Sequence, residues 1–160
     1  MSAVFERLSQ HGLVINDAKS HFAEKSVIYL GLQFSGEGYC PSPAICPEIE
    51  KYEVPTTPKD VQSFLGKVNY CRTHIPDLAK IAAPLYDLTK KNNGFRWGQH
   101  QQVAFDKLKL AFKSRLFLVP IKAGSTYDLY TDASGVACSA GLLQEGEPVE
   151  FYSRRLTPVE

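Results

Sequence analysis

The stretch Thr57-Pro58-Lys59-Asp60-Val61-Gln62-Ser63-Phe64-Leu65-Gly66-Lys67-Val68-Asn69-Tyr70 decides the fold class. Thr at the N-cap, Pro at the first helical position and an acid at the third predict a helix start, because hydroxyl and carboxylate satisfy N–H groups that lack intrahelical partners. Val61, Phe64, Leu65 and Val68 then recur at helical spacing and form one apolar face. Further along, a stretch from about Ile75 to Leu88 carries Leu78, Ile81 and Leu85, is interrupted by Pro76 and Pro84, and ends at Asn92-Asn93-Gly94. From about Gln99, the spacing of Ala104, Leu108 and Ala111, with Phe105 and Phe112 beside them, predicts a third helix with Lys107, Lys109 and Lys113 on its outer face.

Outside this helical middle the pattern changes. Val4, Leu8 and His11 predict a short first helix closed by Gly12. Two short apolar stretches follow, Leu13–Ile15 and Val27–Phe34. With Gly36-Glu37-Gly38 as the turn, 27–40 reads as a hairpin, and Pro41, Pro43 and Pro47 mark a boundary. After Pro120, the stretches 126–131, 137–144 and 148–153 predict three strands in an antiparallel meander. Thr157-Pro158-Val159-Glu160 is a second capping box, at the entrance of a helix that these residues only begin. The fold class is α+β.

Composition limits the alternatives. Apolar residues make up 44% and charged residues 22% of 160, too rich in Phe and Tyr for a disordered chain. No apolar run approaches the ~18 residues of a membrane helix, and no basic-then-apolar leader follows Met1, so the expectation is an intracellular protein, cytoplasmic or nuclear, with no membrane partner. Cys40, Cys46, Cys71 and Cys138 form no CxxC pair, and His11, His21, His74 and His100 have no ligand spacing, which argues against a disulfide scaffold and a zinc module. The net charge of +1 conceals a division. Residues 1–50 hold 3 Lys/Arg against 6 Asp/Glu, residues 51–122 hold 13 against 5, and residues 123–160 hold 2 against 6. A basic middle between acidic ends fits a segment that meets a polyanion, and equally a helical segment with solvated lysines.

Few residues carry chemistry by themselves. Asp132 closes a predicted strand and is placed to hold Mg²⁺; the plainer reading is a turn or capping residue. Asp128 lies on the same strand face but four residues away, about 13 Å, too far to share an ion. Cys71 near His74 has the composition of a thiol–imidazole pair, against a Cys at a helix end beside a solvent His. Phe95, Arg96 and Trp97 are candidates for base stacking or for an aromatic anchor between helices. Gly-rich phosphate loops, GxSxG and Asp-Asp pairs do not occur in the 160 residues.

Taken together, several strings resemble the reverse transcriptase region of Ty3/gypsy-type LTR retrotransposons and, more distantly, of retroviruses. They are Val4-Phe5-Glu6-Arg7-Leu8, Tyr29-Leu30-Gly31 with Gly36-Glu37-Gly38, Ser63-Phe64-Leu65-Gly66-Lys67-Val68-Asn69-Tyr70, and Ala83-Pro84-Leu85. Phe95-Arg96-Trp97, Ala104-Phe105-Asp106-Lys107-Leu108-Lys109, Thr131-Asp132-Ala133-Ser134 and Tyr152-Ser153-Arg154-Arg155-Leu156 continue the series. Each is weak alone; their order and spacing over about 155 residues are specific.

The resemblance implies a palm-end β-hairpin over 1–44, a helical thumb over 45–93, and over 94–160 a connector helix with the first antiparallel strands of an incomplete RNase H-like domain. Tyr29, Leu30 and Gly31 match the hairpin that grips the primer. Lys59, Lys67 and Arg72 match the thumb element that follows the template–primer backbone, and Asp132 matches the first metal-binding, catalytic Asp of RNase H. The implied partners are a primer–template duplex or RNA–DNA hybrid and the remainder of a Pol polyprotein, and the implied cofactor is Mg²⁺. The polymerase Tyr-x-Asp-Asp and the remaining RNase H acids are absent from these 160 residues, so the expectation is a fragment that contributes template–primer binding and has neither activity alone. A non-enzymatic nucleic-acid-binding remnant and a non-functional fragment are the alternatives. Within the chain, Ser20, Cys71, Ala137 and Ser139 depart from the family pattern; the last two replace small Gly positions and are expected to crowd the sheet.

Overall fold

The computed structural model describes residues 2–90, 94–114 and 116–157. In chain order these form α1 (Ser2–Gln10), β1 (Ser26–Tyr29), β2 (Leu32–Ser35), β3 (Gly38–Pro41), α2 (Ile45–Glu50), α3 (Pro58–Tyr70), α4 (Leu78–Asp87), α5 (Gln99–Ser114), β4 (Asp128–Ala133), β5 (Ala137–Gln144) and β6 (Glu147–Arg155). The predicted α+β class holds. Residues 158–160 of the predicted capping box, and Asn92 and Asn93 at the predicted end of the second helical stretch, lie outside the described residues.

The start of α3 forms as the sequence predicts. Thr57 Oγ1 accepts from the Asp60 amide at 3.2 Å, and the Asp60 carboxylate accepts from the Thr57 amide at 2.9 Å. Hydrogen bonds from Thr57 and Thr56 hold that carboxyl below its ordinary range. Val61, Phe64, Leu65 and Val68 are buried as expected. They meet Leu78 and Leu85 of α4, and Ala104, Phe105, Leu108 and Phe112 of α5, in one apolar core. This core also takes in Cys46 and Ile49 of α2, a helix the proline count concealed. Pro47 sits within the first turn of α2, where a missing N–H costs nothing. The core thus runs from residue 46 to residue 112, across the boundary expected between 93 and 94.

Two readings need correction. Residues 27–40 are not one hairpin but two consecutive ones, with strand order β1-β2-β3. The unforeseen turn is Leu30-Gly31, with φ of 47° and 70°. Positive φ at both central residues is the two-residue geometry that matches strand twist, and Leu is a poor predictor of it. Lys109, placed on the outer face of its helix, instead turns inward: its ammonium donates to the Tyr52 carbonyl at 3.1 Å and stands 5.0 Å from the Phe105 ring centroid.

The second sheet, in order β4-β5-β6, is antiparallel as predicted, with a two-residue turn at Glu145-Gly146. The segment after α5 joins the two sheets. Leu118 and Tyr39 exchange two backbone hydrogen bonds of 2.9 Å, and the Val119 amide donates to the Pro148 carbonyl at 2.9 Å. Gln144, buried, accepts from the Lys122 amide and donates to the Lys122 and Ser125 carbonyls. A buried amide so paired costs little, whereas its loss would strand three backbone groups. Ala137 and Ser139 do not crowd β5: pairing with β6 is continuous from 137 to 142 and with β4 from 138 to 143, and the register shifts only at Leu142/Leu143 on the β6 side.

Candidate nucleic-acid interface

Lys59 and Lys67 project from the exposed side of α3, opposite the buried Val61–Phe64–Leu65–Val68 face. Lys59 lies in the first turn. Lys67 lies in the last, and its ammonium donates to the Glu48 carboxylate of α2 at 2.7 Å. That hydrogen bond and the accompanying attraction hold the Lys67 ammonium above its ordinary pKa. Arg72 follows α3 and lines a different groove, of about 690 Å³, between α3, α4 and β6.

Tyr29 and Leu30 are strongly exposed, at 63% and 69%. Gly31 is not: a Cβ there would lie 2.6 Å from the Ile45 side chain and 3.1 Å from the Tyr70 ring. The β1–β2 turn is therefore pressed against the C-terminal end of α3. Gly31, Ser63, Gly66, Lys67 and Tyr70 border one cleft of about 550 Å³ with α2. The structure thus brings Gly31 and Lys67 together, puts Lys59 at the far end of the same helix, and leaves Arg72 on another side. Ser63, Gly66 and Tyr70 went unassigned from sequence. The available signal was their i, i+3, i+7 spacing on the face opposite the apolar one, together with a helix-interior Gly66 whose Cβ would meet nothing.

Asp132 is the penultimate residue of β4, every residue of which is exposed. Its nearest charged partner is Lys80 of α4, at 3.7 Å. No group of three His, Cys, Asp or Glu side chains able to hold a metal ion exists among the described residues. One carboxylate with an ammonium against it is the donor set of an ion pair, and the residues described do not fit a Mg²⁺ site.

The remaining candidates resolve to structural roles. Cys71 is fully buried, and burial, with Cys46 nearby, pushes its thiol up to about 12. His74 is also buried, which lowers its pKa, and its Nδ1 lies 3.2 Å from the Thr73 hydroxyl. A thiol that stays protonated is no nucleophile, so the Cys–His pairing is dismissed. Trp97 donates to Gln102 at 2.9 Å and meets the edge of Phe105 at 5.8 Å: it is an anchor on α5.

In sequence and in fold, this chain is similar to a reverse transcriptase/RNase H region of retroelement polyproteins. Residues 97–160 match the family described as an RNase H-like domain found in reverse transcriptase. The chain is 35% identical over 162 residues to the Gag-Pol polyprotein of gibbon ape leukemia virus, covering 98% of the chain and 10% of that protein. It is 30% identical to the transposon Tf2-3 polyprotein of Schizosaccharomyces pombe, covering 98% of the chain and 12% of that protein. The chain thus spans about a tenth of the length of the curated relatives it matches. The foamy viral protease–reverse transcriptase in complex with double-stranded DNA shares its fold, with a TM-score of 0.82 at 24% identity, over 98% of this chain and 28% of that one. The same viral protein in complex with an RNA/DNA hybrid superposes with a TM-score of 0.82, over 99% and 22% of the two chains. No helix of the described residues is long and apolar enough to cross a membrane.

Proposed function

We propose that this chain is the template–primer-holding segment of a Ty3/gypsy-type retroelement reverse transcriptase, with 1–44 as the end of the palm, 45–93 as the thumb, and 94–160 as connector and first RNase H strands. The observation that carries this reading is the cleft that joins the Leu30-Gly31 turn to the exposed face of α3. A strand end resting on the turn would have its phosphates along Lys67 and Lys59, and Arg72, in the neighbouring groove, would meet a different part of the duplex. Gly66 lets a backbone approach the helix closely. The foamy viral relatives that share the fold were captured with double-stranded DNA and with an RNA/DNA hybrid, which supports the same ligand class here.

Phosphate contacts supply affinity that falls with salt. With three such contacts, duplex affinity should drop roughly fortyfold between 50 and 200 mM salt, since each contributes a slope of about −0.9 in log–log terms. The triple replacement of Lys59, Lys67 and Arg72 by Ala should flatten that dependence nearly completely, as read by fluorescence anisotropy of a labelled primer–template. Affinity that is independent of salt in the unaltered chain removes the reading.

Lys67 carries a second expectation. Glu48 occupies its ammonium, so Glu48→Gln should release it and tighten duplex binding about two- to threefold at low salt, an effect the size of an exposed ion pair. Binding left unchanged would mean that Lys67 does not touch the duplex.

The parent reactions in this reading are RNA-directed DNA synthesis and cleavage of the RNA strand of a hybrid, with Mg²⁺ held by clusters of carboxylates. Asp132 alone does not make such a cluster. Primer-extension and hybrid-cleavage assays on these 160 residues should therefore show no Mg²⁺-dependent turnover, and measurable turnover would overturn that expectation.

A further inference from the structure

Ser139 departs from the family pattern at a position where Gly is usual, and the fold gives its hydroxyl a partner outside the sheet. It donates to the Asp77 carboxylate, just before α4, at 2.5 Å. Ser139 is the middle member of a cross-strand row. Its direct partners are Asp132 on β4 and Ser153 on β6. Both of those also reach the same turn of α4: Ser153 Oγ accepts from the Ala79 amide at 3.0 Å, and Lys80 lies 3.7 Å from the Asp132 carboxylate. Each strand of the sheet thus contributes one polar side chain, from one row, to residues 77–80. At the other end of α4, Arg155 pairs with Asp87 at 2.7 Å.

The local chemistry explains why these contacts hold. The first amides of a helix have no intrahelical acceptor, and Asp77 at the N-cap makes no side-chain cap of its own. Its φ of 54° is unusual for a residue other than Gly. The Ser153 hydroxyl supplies the acceptor that the N-cap does not, and the Ser139 hydroxyl fixes the carboxylate of the strained residue. The Ala79 amide belongs to a residue only 7% exposed, so without Ser153 it would be a buried donor with no acceptor.

We infer that the row Asp132–Ser139–Ser153 is a docking latch for the first turn of α4, and that in this chain Asp132 serves it as the acid that pairs with Lys80. The latch fixes the helical core and the second sheet as one body, so that the exposed face of α3 and the strand carrying Asp132 keep a constant separation. It assigns a role to the Ser139 departure. The inference rests on intramolecular contacts and stands whether or not the chain binds nucleic acid.

Amide hydrogen exchange of the full 160-residue chain tests it. In Ser139→Ala/Ser153→Ala, exchange at Ala79, Lys80 and Ile81 should rise tenfold or more, while Leu108 of α5 keeps its protection. Asp132→Lys, which sets two ammonium groups against each other, should raise exchange at the same amides about threefold, and adding Lys80→Asp should restore it. Unaltered exchange at Ala79 in the double serine variant overturns the latch. An equal rise at Leu108 overturns it too, because the row would then be an ordinary part of one cooperative unit. Failure of the charge swap to restore protection removes Asp132 from the latch.

Discussion

Phe64→Ala is expected to lower the stability of the chain by about 3–5 kcal/mol, the range for deleting a buried aromatic ring without refilling its space. Phe64 is fully buried at the point where three elements meet, with its ring 4.7 Å from Phe105 of α5 and 5.3 Å from Tyr52 in the α2–α3 connection. Each neighbour is itself engaged, Phe105 by Trp97 and Lys109, and Tyr52 by Lys109 and Asp60. The surroundings therefore have little freedom to close the cavity. Against the ~5–15 kcal/mol typical of a small domain, the loss is a large fraction of the total. Urea denaturation followed by the fluorescence of Trp97 reads it directly, because the indole touches the Phe105 edge that moves. Phe64→Leu keeps most of the volume and should cost under about 1.5 kcal/mol. A loss below about 1 kcal/mol in the Ala variant would mean that α3 is not anchored through this ring. The functional consequence is local: α3 released from α5 no longer holds Lys67 against the β1–β2 turn.

The contrast between α3 and the elements around it shows which features a sequence exposes. The start of α3 is written in four adjacent residues, and its apolar face in the next eight, so both are legible. The strands β4, β5 and β6 are likewise legible because Gly146 and the changes in period mark their ends. The turn at Leu30-Gly31 is not, because the burden of positive φ falls on a leucine held there by pairing on either side. Helix α2 hides behind Pro47, whose breaking tendency is harmless in a first turn. Lys109 was misplaced because helical spacing assigns a face but cannot foresee a carbonyl from a distant connection. The candidate site divides in the same way. Its charges were visible as a basic block, but the ion pair that occupies Lys67, the cleft that joins Gly31 to Tyr70, and the partner of Asp132 are all contacts between residues far apart in the chain.

Gly38→Ala is the other substitution with a large expected effect, and it acts through backbone rather than core. Gly38 opens β3 with a φ of 142°, a region that side chains strongly disfavour. A Cβ built there would lie 2.1 Å from the Leu118 carbonyl oxygen and 2.8 Å from the Phe117 ring. Neither obstacle can be relieved separately. Rotating the backbone out of the glycine region would misdirect Tyr39, whose N–H and C=O both pair with Leu118. Displacing Leu118 would pull a fully buried side chain from its place and break the same two hydrogen bonds. The expected loss is about 3 kcal/mol or more, as strain and a broken buried pairing combine. It should appear as a lowered denaturation midpoint and as fast hydrogen exchange at the Tyr39 and Leu118 amides. Gly36→Ala, two residues away, has open space around its Cβ and should change stability by less than about 0.5 kcal/mol. The pair separates a specific requirement at Gly38 from a general sensitivity of the turn. If both variants lose stability equally, the turn conformation is responsible; if neither does, the Tyr39–Leu118 bridge is not what ties the first sheet to the segment after α5. The predicted outcome, loss at Gly38 alone, would make that bridge the support on which the Leu30-Gly31 turn is held against α3.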